Sequence, residues 1–334
     1  MKKFILRRLG ISLVVLPVVL FAIYGLLRLL PASFVETTAM TLSQAPGAQP
    51  YEVWLEQLNG QYGLDVGILE GYVRQLKNML TGNFGTSWKY AMPVTEKFSQ
   101  VIGVSVVIGA ISFVLELLLA IPLGVWAATG KGKGRDFFLN AFALLGISLP
   151  TFFFATVLKL IFSVKLGWFD LFGLVGREHA MLSSWGKFWD MAAHLVLPVV
   201  TLTLVSFGSL LRYTRNNMLE VLKSDYLRTA RAKGLGRNRV LWGHGFRNTL
   251  LPLITILGAS LPGIFAGALV TETLFAIPGI GFTAYEAMVA GDIPFTMFYL
   301  AFLAVLTLLG NLLGDICYGL ADPRVRLSGG GADG

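Results

Sequence analysis

The sequence predicts an all-α, polytopic membrane protein with six spanning helices, on three observations. First, 55% of its 334 residues are hydrophobic and 14% charged, with mean hydropathy +0.68. That balance excludes an ordinary soluble domain. Second, six apolar stretches recur, roughly 9–30, 101–129, 137–162, 192–211, 250–274 and 295–318. Each supplies about the 17–25 residues that a hydrocarbon core requires, or more. Third, Lys and Arg gather in alternate loops, which fixes N- and C-termini on the cytoplasmic side.

The N-terminus carries Lys2, Lys3, Arg7 and Arg8, like a signal peptide, but the apolar run continues to Leu27. That is too long for a signal core and long enough to span. Between Leu9 and Leu30 there are fifteen Leu, Ile, Val or Phe residues. At roughly −0.3 to −0.6 kcal/mol each near the centre they outweigh the roughly 3 kcal/mol cost of Arg28, which can also snorkel. Residues 1–30 are therefore read as the first transmembrane helix.

Residues 31–100 form an external loop with four basic and six acidic groups. Tyr72, Val73, Leu76, Met79 and Leu80 fall at helical spacing and predict an amphipathic helix over 71–80, with Gly82 as its stop. Asn83 to Trp88 and Met92-Pro93-Val94 read as an ordered turn region, and 41–50 as a flexible lead-in. The loop either meets an external partner or packs as a lid on its own outer face.

The core is assigned to 101–318 and the cytoplasmic tail to 319–334, with Ser328 to Gly334 read as disordered. The 130–136 loop holds Lys131, Lys133 and Arg135 and belongs inside; 163–191 balances its charges and 275–294 holds only Glu286 and Asp292, so both belong outside. Pro150, Pro198 and Pro262 lie in the third, fourth and fifth spans. Proline frees backbone carbonyls and bends a helix, which either builds a path or hinge or is an adapted kink. Pro278, Gly279 and Gly281 break the fifth span, and Thr283 to Val289 is read as a short re-entrant or interfacial helix.

The long basic loop, 212–249, is the most informative stretch. It holds nine Lys/Arg against Glu220 and Asp225. Within it, Asp225-Tyr226-Leu227-Arg228-Thr229-Ala230-Arg231-Ala232-Lys233-Gly234 reads as a short helix with its own stops. Ser224 or Asp225 caps its start, and Gly234 takes the left-handed conformation that ends it. Tyr226, Leu227 and Ala230 give a small apolar face rimmed by Arg228, Arg231 and Lys233. A helix lying in anionic lipid would favour large apolar groups over Thr229, Ala230 and Ala232. A knob that docks into a soluble partner fits better. The basic residues are a topogenic signal first, so nucleic acid is not expected.

These residues resemble the cytoplasmic coupling loop of ABC importer permeases, in particular the oligopeptide and dipeptide permease family. The general pattern has Glu-Ala-Ala, then Gly four residues after the second Ala. Here Arg228 and Thr229 replace Glu and the first Ala, while Ala230 and Gly234 match. Arg-Thr-Ala is common in the peptide branch. The stretch Glu272, Pro278-Gly279 and Gly281 is similar to the same family, as are Gly63-Leu64-Asp65 and Gly82-Asn83-Phe84-Gly85-Thr86-Ser87. The likeness runs over nearly the whole chain, to Ala321-Asp322-Pro323-Arg324-Val325.

The resemblance implies a type I ABC importer permease fold. It implies a second homologous permease subunit, two cytoplasmic ABC ATPase subunits and an extracytoplasmic substrate-binding protein. Residues 225–234 would be the ATPase-coupling element; Glu272, Pro278, Gly279 and Gly281 would belong to the translocation path or gate. The expected cargo is a di- or oligopeptide, with nickel chelates, glycosides or other small solutes as the alternative. ATP and Mg would be held by the partner ATPases and no cofactor by this chain, in a bacterial or archaeal inner membrane.

Other chemistry finds little support. Gly124 and Gly130 enclose five residues instead of the four of a phosphate-binding loop, and Lys131 is followed by Gly132. His179, His194 and His244 are far apart in sequence, and no metal is expected. Cys317 reads as a small packed residue. Arg28, Glu116, Lys159, Glu272 and Asp315 are ionisable groups in or near spans and so are functional candidates. Arg28 and Lys159 sit near span ends and are expected to snorkel. Glu272 either contacts the path or hydrogen-bonds the unwound backbone beside it. An ATP-independent channel or carrier would need charged relays in several spans and no docking helix.

Overall fold

A computed structural model describes residues 2–29 and 34–321. The expected tail from Ser328 and the Asp322 to Val325 match lie outside them. Among the described residues there are thirteen α-helices, and the only extended pairing is an isolated bridge between Thr86 and Pro93. In chain order they are α1 (Lys2–Leu29), α2 (Phe34–Ser43), α3 (Tyr51–Gln61), α4 (Ile68–Leu80), α5 (Val94–Ala128), α6 (Gly134–Ser148), α7 (Thr151–Leu158), α8 (Ser184–Val221), α9 (Asp225–Ala232), α10 (Arg247–Phe265), α11 (Leu269–Leu274), α12 (Ile280–Val289) and α13 (Ile293–Ala321). Four of these, α1, α5, α8 and α13, are long and apolar enough to cross a membrane. The α6–α7 pair makes a fifth if its two arms count as one span.

The expected third span is not one straight helix. It bends by 106° between α6 and α7, and Pro150 holds the extended position that starts α7. Pro150 lacks the N–H a continuing helix would use, and Leu149 before it is pushed out of the helical region. The fourth span is longer than hydropathy suggests. Its helix runs through Pro198 from Ser184 to Val221, so Arg212 and Arg215 lie in the helix and not in the loop. The fifth ends at Phe265, before Gly267 (φ +76), ahead of the expected break at Pro278.

The fold divides into two compact units, 2–103 with 280–309, and 104–279 with the stretch from 310. In the first unit, Tyr72 on α4 donates to the Pro17 carbonyl of α1 at 2.6 Å. Arg28, at the end of α1, donates to the Leu64 and Val66 carbonyls at 2.9 and 3.0 Å. The predicted amphipathic helix is present, with Tyr72, Leu76 and Met79 packed inward but Val73 and Leu80 exposed. Helices α2 and α3, which the sequence reading did not anticipate, pack through Val35, Ala39 and Leu58, with Trp88 beside them. The 85–94 turn is ordered: Ser87 N–H bonds Met92 O at 2.9 Å and Val94 N–H bonds Gly85 O at 3.1 Å. Asp292 accepts from the Ser87 hydroxyl and from the Lys89 and Phe295 amides, so one carboxylate ties this turn to the start of α13.

In the second unit small residues let backbones meet, the packing mode expected where lipid supplies no hydrophobic drive. A Cβ on Gly146 of α6 would sit 2.8 Å from the Leu204 carbonyl oxygen of α8. One on Gly109 of α5 would sit 2.6 Å from that of Ile264 on α10. Ala143, Phe207, Leu210 and Leu211 fill the core between α6 and α8. Two histidines that sequence distance separates come together: Asp190 pairs with His179, and its backbone carbonyl lies 2.7 Å from His194 Nδ1. Cys317 is exposed, not packed.

Candidate functional site: a projecting helix and a stitched break

Helix α9 forms where the sequence places it. Ser224 is the N-cap by backbone geometry, but its hydroxyl donates to the Val221 carbonyl at 2.6 Å and does not cap an amide. Gly234, at φ +75, ends the helix. The faces divide differently from the expectation. Leu227 is fully buried and Ala230 nearly so, against Val240, Val221, Leu222 and Leu235. Tyr226 turns outward, 45% exposed. Asp225, Tyr226, Arg228, Thr229, Arg231, Ala232 and Lys233 make the outer surface. The helix therefore has an apolar root and a polar outer face. Its one internal ion pair, Arg228 to Asp225 at 3.4 Å, is exposed on both sides and worth little.

The root continues inward. Leu222 packs against Leu227 and Ala230 and also against Val125 and Ala128 of α5 and Met218 of α8. Displacement of α9 thus bears directly on two long helices. Nearby, Arg215 grips Asp136 with both arms, at 2.6 and 2.9 Å, while Gly132 N–H and Asn140 complete that carboxylate. Sequence reasoning missed this pair, because 79 residues separate its members.

The second site is the broken stretch from Ala266 to Gly279. Glu272 is 1% exposed and its carboxylate accepts from the Ser105 hydroxyl of α5 at 2.7 Å and the Ala268 amide at 3.1 Å. Its backbone carbonyl takes the Ile277 amide at 2.8 Å. Gly279 lies against the carboxyl group so closely that a Cβ would overlap it. Lys159 donates to the Leu274 carbonyl and lies over the Phe172 and Phe275 rings. It satisfies a carbonyl that the short α11 leaves open. Pro278 is exposed, and Gly281 is buried in the first turn of α12. So Glu272 and Gly279 meet. Gly281 belongs to the other compact unit.

A cavity of about 550 Å³ opens beside Glu272, walled by α5, α8 and α10. Among the described residues no cluster of His, Cys, Asp and Glu has the grouping of a metal site.

A membrane bundle, a short projecting helix rooted on two long helices and a largely apolar cavity with a few hydroxyls and two carboxyl groups together define a transport component. The chain belongs to the binding-protein-dependent transport system inner membrane component family, whose model matches residues 120–327. It is similar to the oligopeptide transport system permease protein AppB of Bacillus subtilis, 35% identical over 98% of this chain and 100% of the relative. The OppB permease protein of Haemophilus influenzae is 33% identical, with the same 98% and 100% covered. The dipeptide transport system permease protein DppB of Escherichia coli is 32% identical, covering 98% and 99%.

Proposed function

We propose that this chain is a transmembrane permease subunit of an ATP-driven importer of di- and oligopeptides, with six spans and both termini in the cytoplasm. The single observation that carries the coupling is α9, whose outer face is polar while its root bears on α5 and α8. A second permease completes the pathway. Two cytoplasmic ATPases hold ATP and Mg, and an extracytoplasmic binding protein delivers the cargo.

In this reading α9 sits in a cleft of one ATPase. Closure of the nucleotide-bound ATPases shifts α9, and Leu222 passes the shift to α5 and α8. The bundle moves from inward-open to outward-open and accepts the cargo; hydrolysis resets it. Glu272 and Lys159 keep the 266–279 stretch in one shape beside the cavity, so the wall moves as a unit.

Charge reversal at Arg228 and Arg231 tests the coupling. Arg228→Glu with Arg231→Glu is expected to abolish peptide-stimulated ATP hydrolysis in proteoliposomes, or to lose the ATPases during copurification. Wild-type transport together with wild-type stimulated hydrolysis rejects the role.

A further inference from the structure

The cavity carries a feature that coupling does not use. Its wall on α5 is a single helical stripe, Ser105, Ile108, Gly109, Ser112, Phe113 and Glu116. Ser206, Ser209 and Tyr213 of α8 and Ser260 of α10 add hydroxyls. Among the described residues two carboxylates line it, Glu272 at one end and Glu116 towards the other, and no Lys, Arg or His does. Ser105 and Glu116 are eleven residues apart, which at 1.5 Å per residue is about 16 Å along the helix axis.

The two acids differ. Glu272 is enclosed and bonded to Ser105 and the Ala268 amide. Glu116 is half-buried, and among the described residues it has neither an ion pair nor a hydrogen bond. An ionisable side chain within a span must meet water, a partner or a ligand. Nothing among the described residues answers it, and the space it faces has the size of a small-molecule site. Ser112, Ser206 and Ser260 spend their hydroxyl hydrogens on the Val199, Leu202 and Ile256 carbonyls, which leaves oxygen lone pairs to accept from a cation.

We infer that Glu116 is a cation-recognition point in the cavity, taking the ammonium or guanidinium group of the transported solute. The inference rests on the peptide-importer reading and deepens it: a basic side chain of the passing peptide docks on Glu116 with the hydroxyls around it. It makes this chain, and not only the binding protein, a source of selectivity.

The test uses the complete importer in proteoliposomes with two tripeptides, Ala-Lys-Ala and Ala-Gln-Ala, each supplied at equal occupancy of the binding protein. The quantity read is the ratio of their transport rates. Glu116→Gln is expected to lower the Lys-to-Gln ratio by about tenfold, the size of one charge-assisted hydrogen bond. Glu116→Asp, which keeps the charge, should hold the ratio within about twofold of wild type, on the same scale. An unchanged ratio in Glu116→Gln overturns the assignment. Loss of the second permease on copurification of both variants also overturns it, because it makes Glu116 an interface residue. If wild type moves neither tripeptide, the peptide reading itself fails, a result distinct from both.

Discussion

Two short helices, α9 and α11, carry the sites, and they are built in opposite ways. Helix α9 holds eight residues between Ser224 and Gly234, and only its root, Leu227 with Ala230, is buried. Helix α11 holds six residues, too few to stand on local propensity, and is tied from elsewhere: to α5 through Ser105 and to Lys159 through the Leu274 carbonyl. The first leaves its charges free to meet another molecule. The second uses its charge to hold its own backbone. An ionisable group beside a helix break therefore plays different parts according to whether its partners lie within the chain.

The largest effect should separate the two helices through their glycines. Gly279→Val drives a side chain into the Glu272 carboxyl and is expected to cost about 3 kcal/mol or more. Gly234→Val meets nothing within 4 Å and suffers only its left-handed backbone, about 1–2 kcal/mol. Thermal midpoints of the detergent-solubilised protein compare them, and equal losses would break the contrast.

Next, the two faces of α9 can be set against each other. Leu227→Ala empties a fully buried position and should cost about 2–4 kcal/mol. Tyr226→Ala, on the outer face, should stay within about 0.5 kcal/mol in stability. Its effect should appear in stimulated ATP hydrolysis, and a normal rate there would remove Tyr226 from the docking face.

The 85–94 turn is held by tertiary ties as α11 is. The Tyr90 hydroxyl lies 3.0 Å from the Thr283 carbonyl and 3.3 Å from Glu286 Oε2. Burial first, and then the negative charge of Glu286, raise its pKa well above the usual tyrosine value. The folded state therefore disfavours the phenolate. The stability tied to Tyr90 is complete below the unfolded pKa of about 10 and is lost as pH rises towards the raised folded value. Between about pH 10 and 11 the wild-type midpoint should fall more steeply than that of Tyr90→Phe, by up to about 1.4 kcal/mol per pH unit. Parallel curves would contradict this.

The smallest effect is at the exposed pair on α9. Arg228→Ala should change stability by less than about 0.5 kcal/mol, because its contact with Asp225 is solvated. A loss above about 1 kcal/mol would show that α9 depends on its rim as α11 depends on its ties.

Legibility in the sequence followed the range of the forces. The α4 and α9 helices and the turn over 85–94 could be read, because caps, glycines and apolar spacing act within a few residues. Helix α8 was read too short. Hydropathy sees only its apolar middle, while Ser184 to Met191 and Arg212 to Val221 continue the same hydrogen-bond ladder. The bend at Pro150 had a local cause, yet its size was not legible, since the packing of α7 against α8 sets it. Glu272 was legible as a candidate but with two roles open, and only its bonds to Ser105 and Ala268 reveal what it holds. Asp136 with Arg215 left no signal, because 79 residues separate them, and Asp190 with His179 left none, because an irregular loop and not one helix face brings them together.

By itself the sequence determined an all-helical membrane bundle with a separate short helix in its most basic loop, because hydrophobicity, charge placement and helix stops are properties of neighbouring residues. The tertiary structure alone decided which face of that helix is root and which is free, that Lys159 meets the Leu274 carbonyl, and that Glu116 faces the cavity with no partner among the described residues while Glu272 is bonded. Those outcomes depend on which distant groups fold to within hydrogen-bonding reach, and no local pattern encodes that.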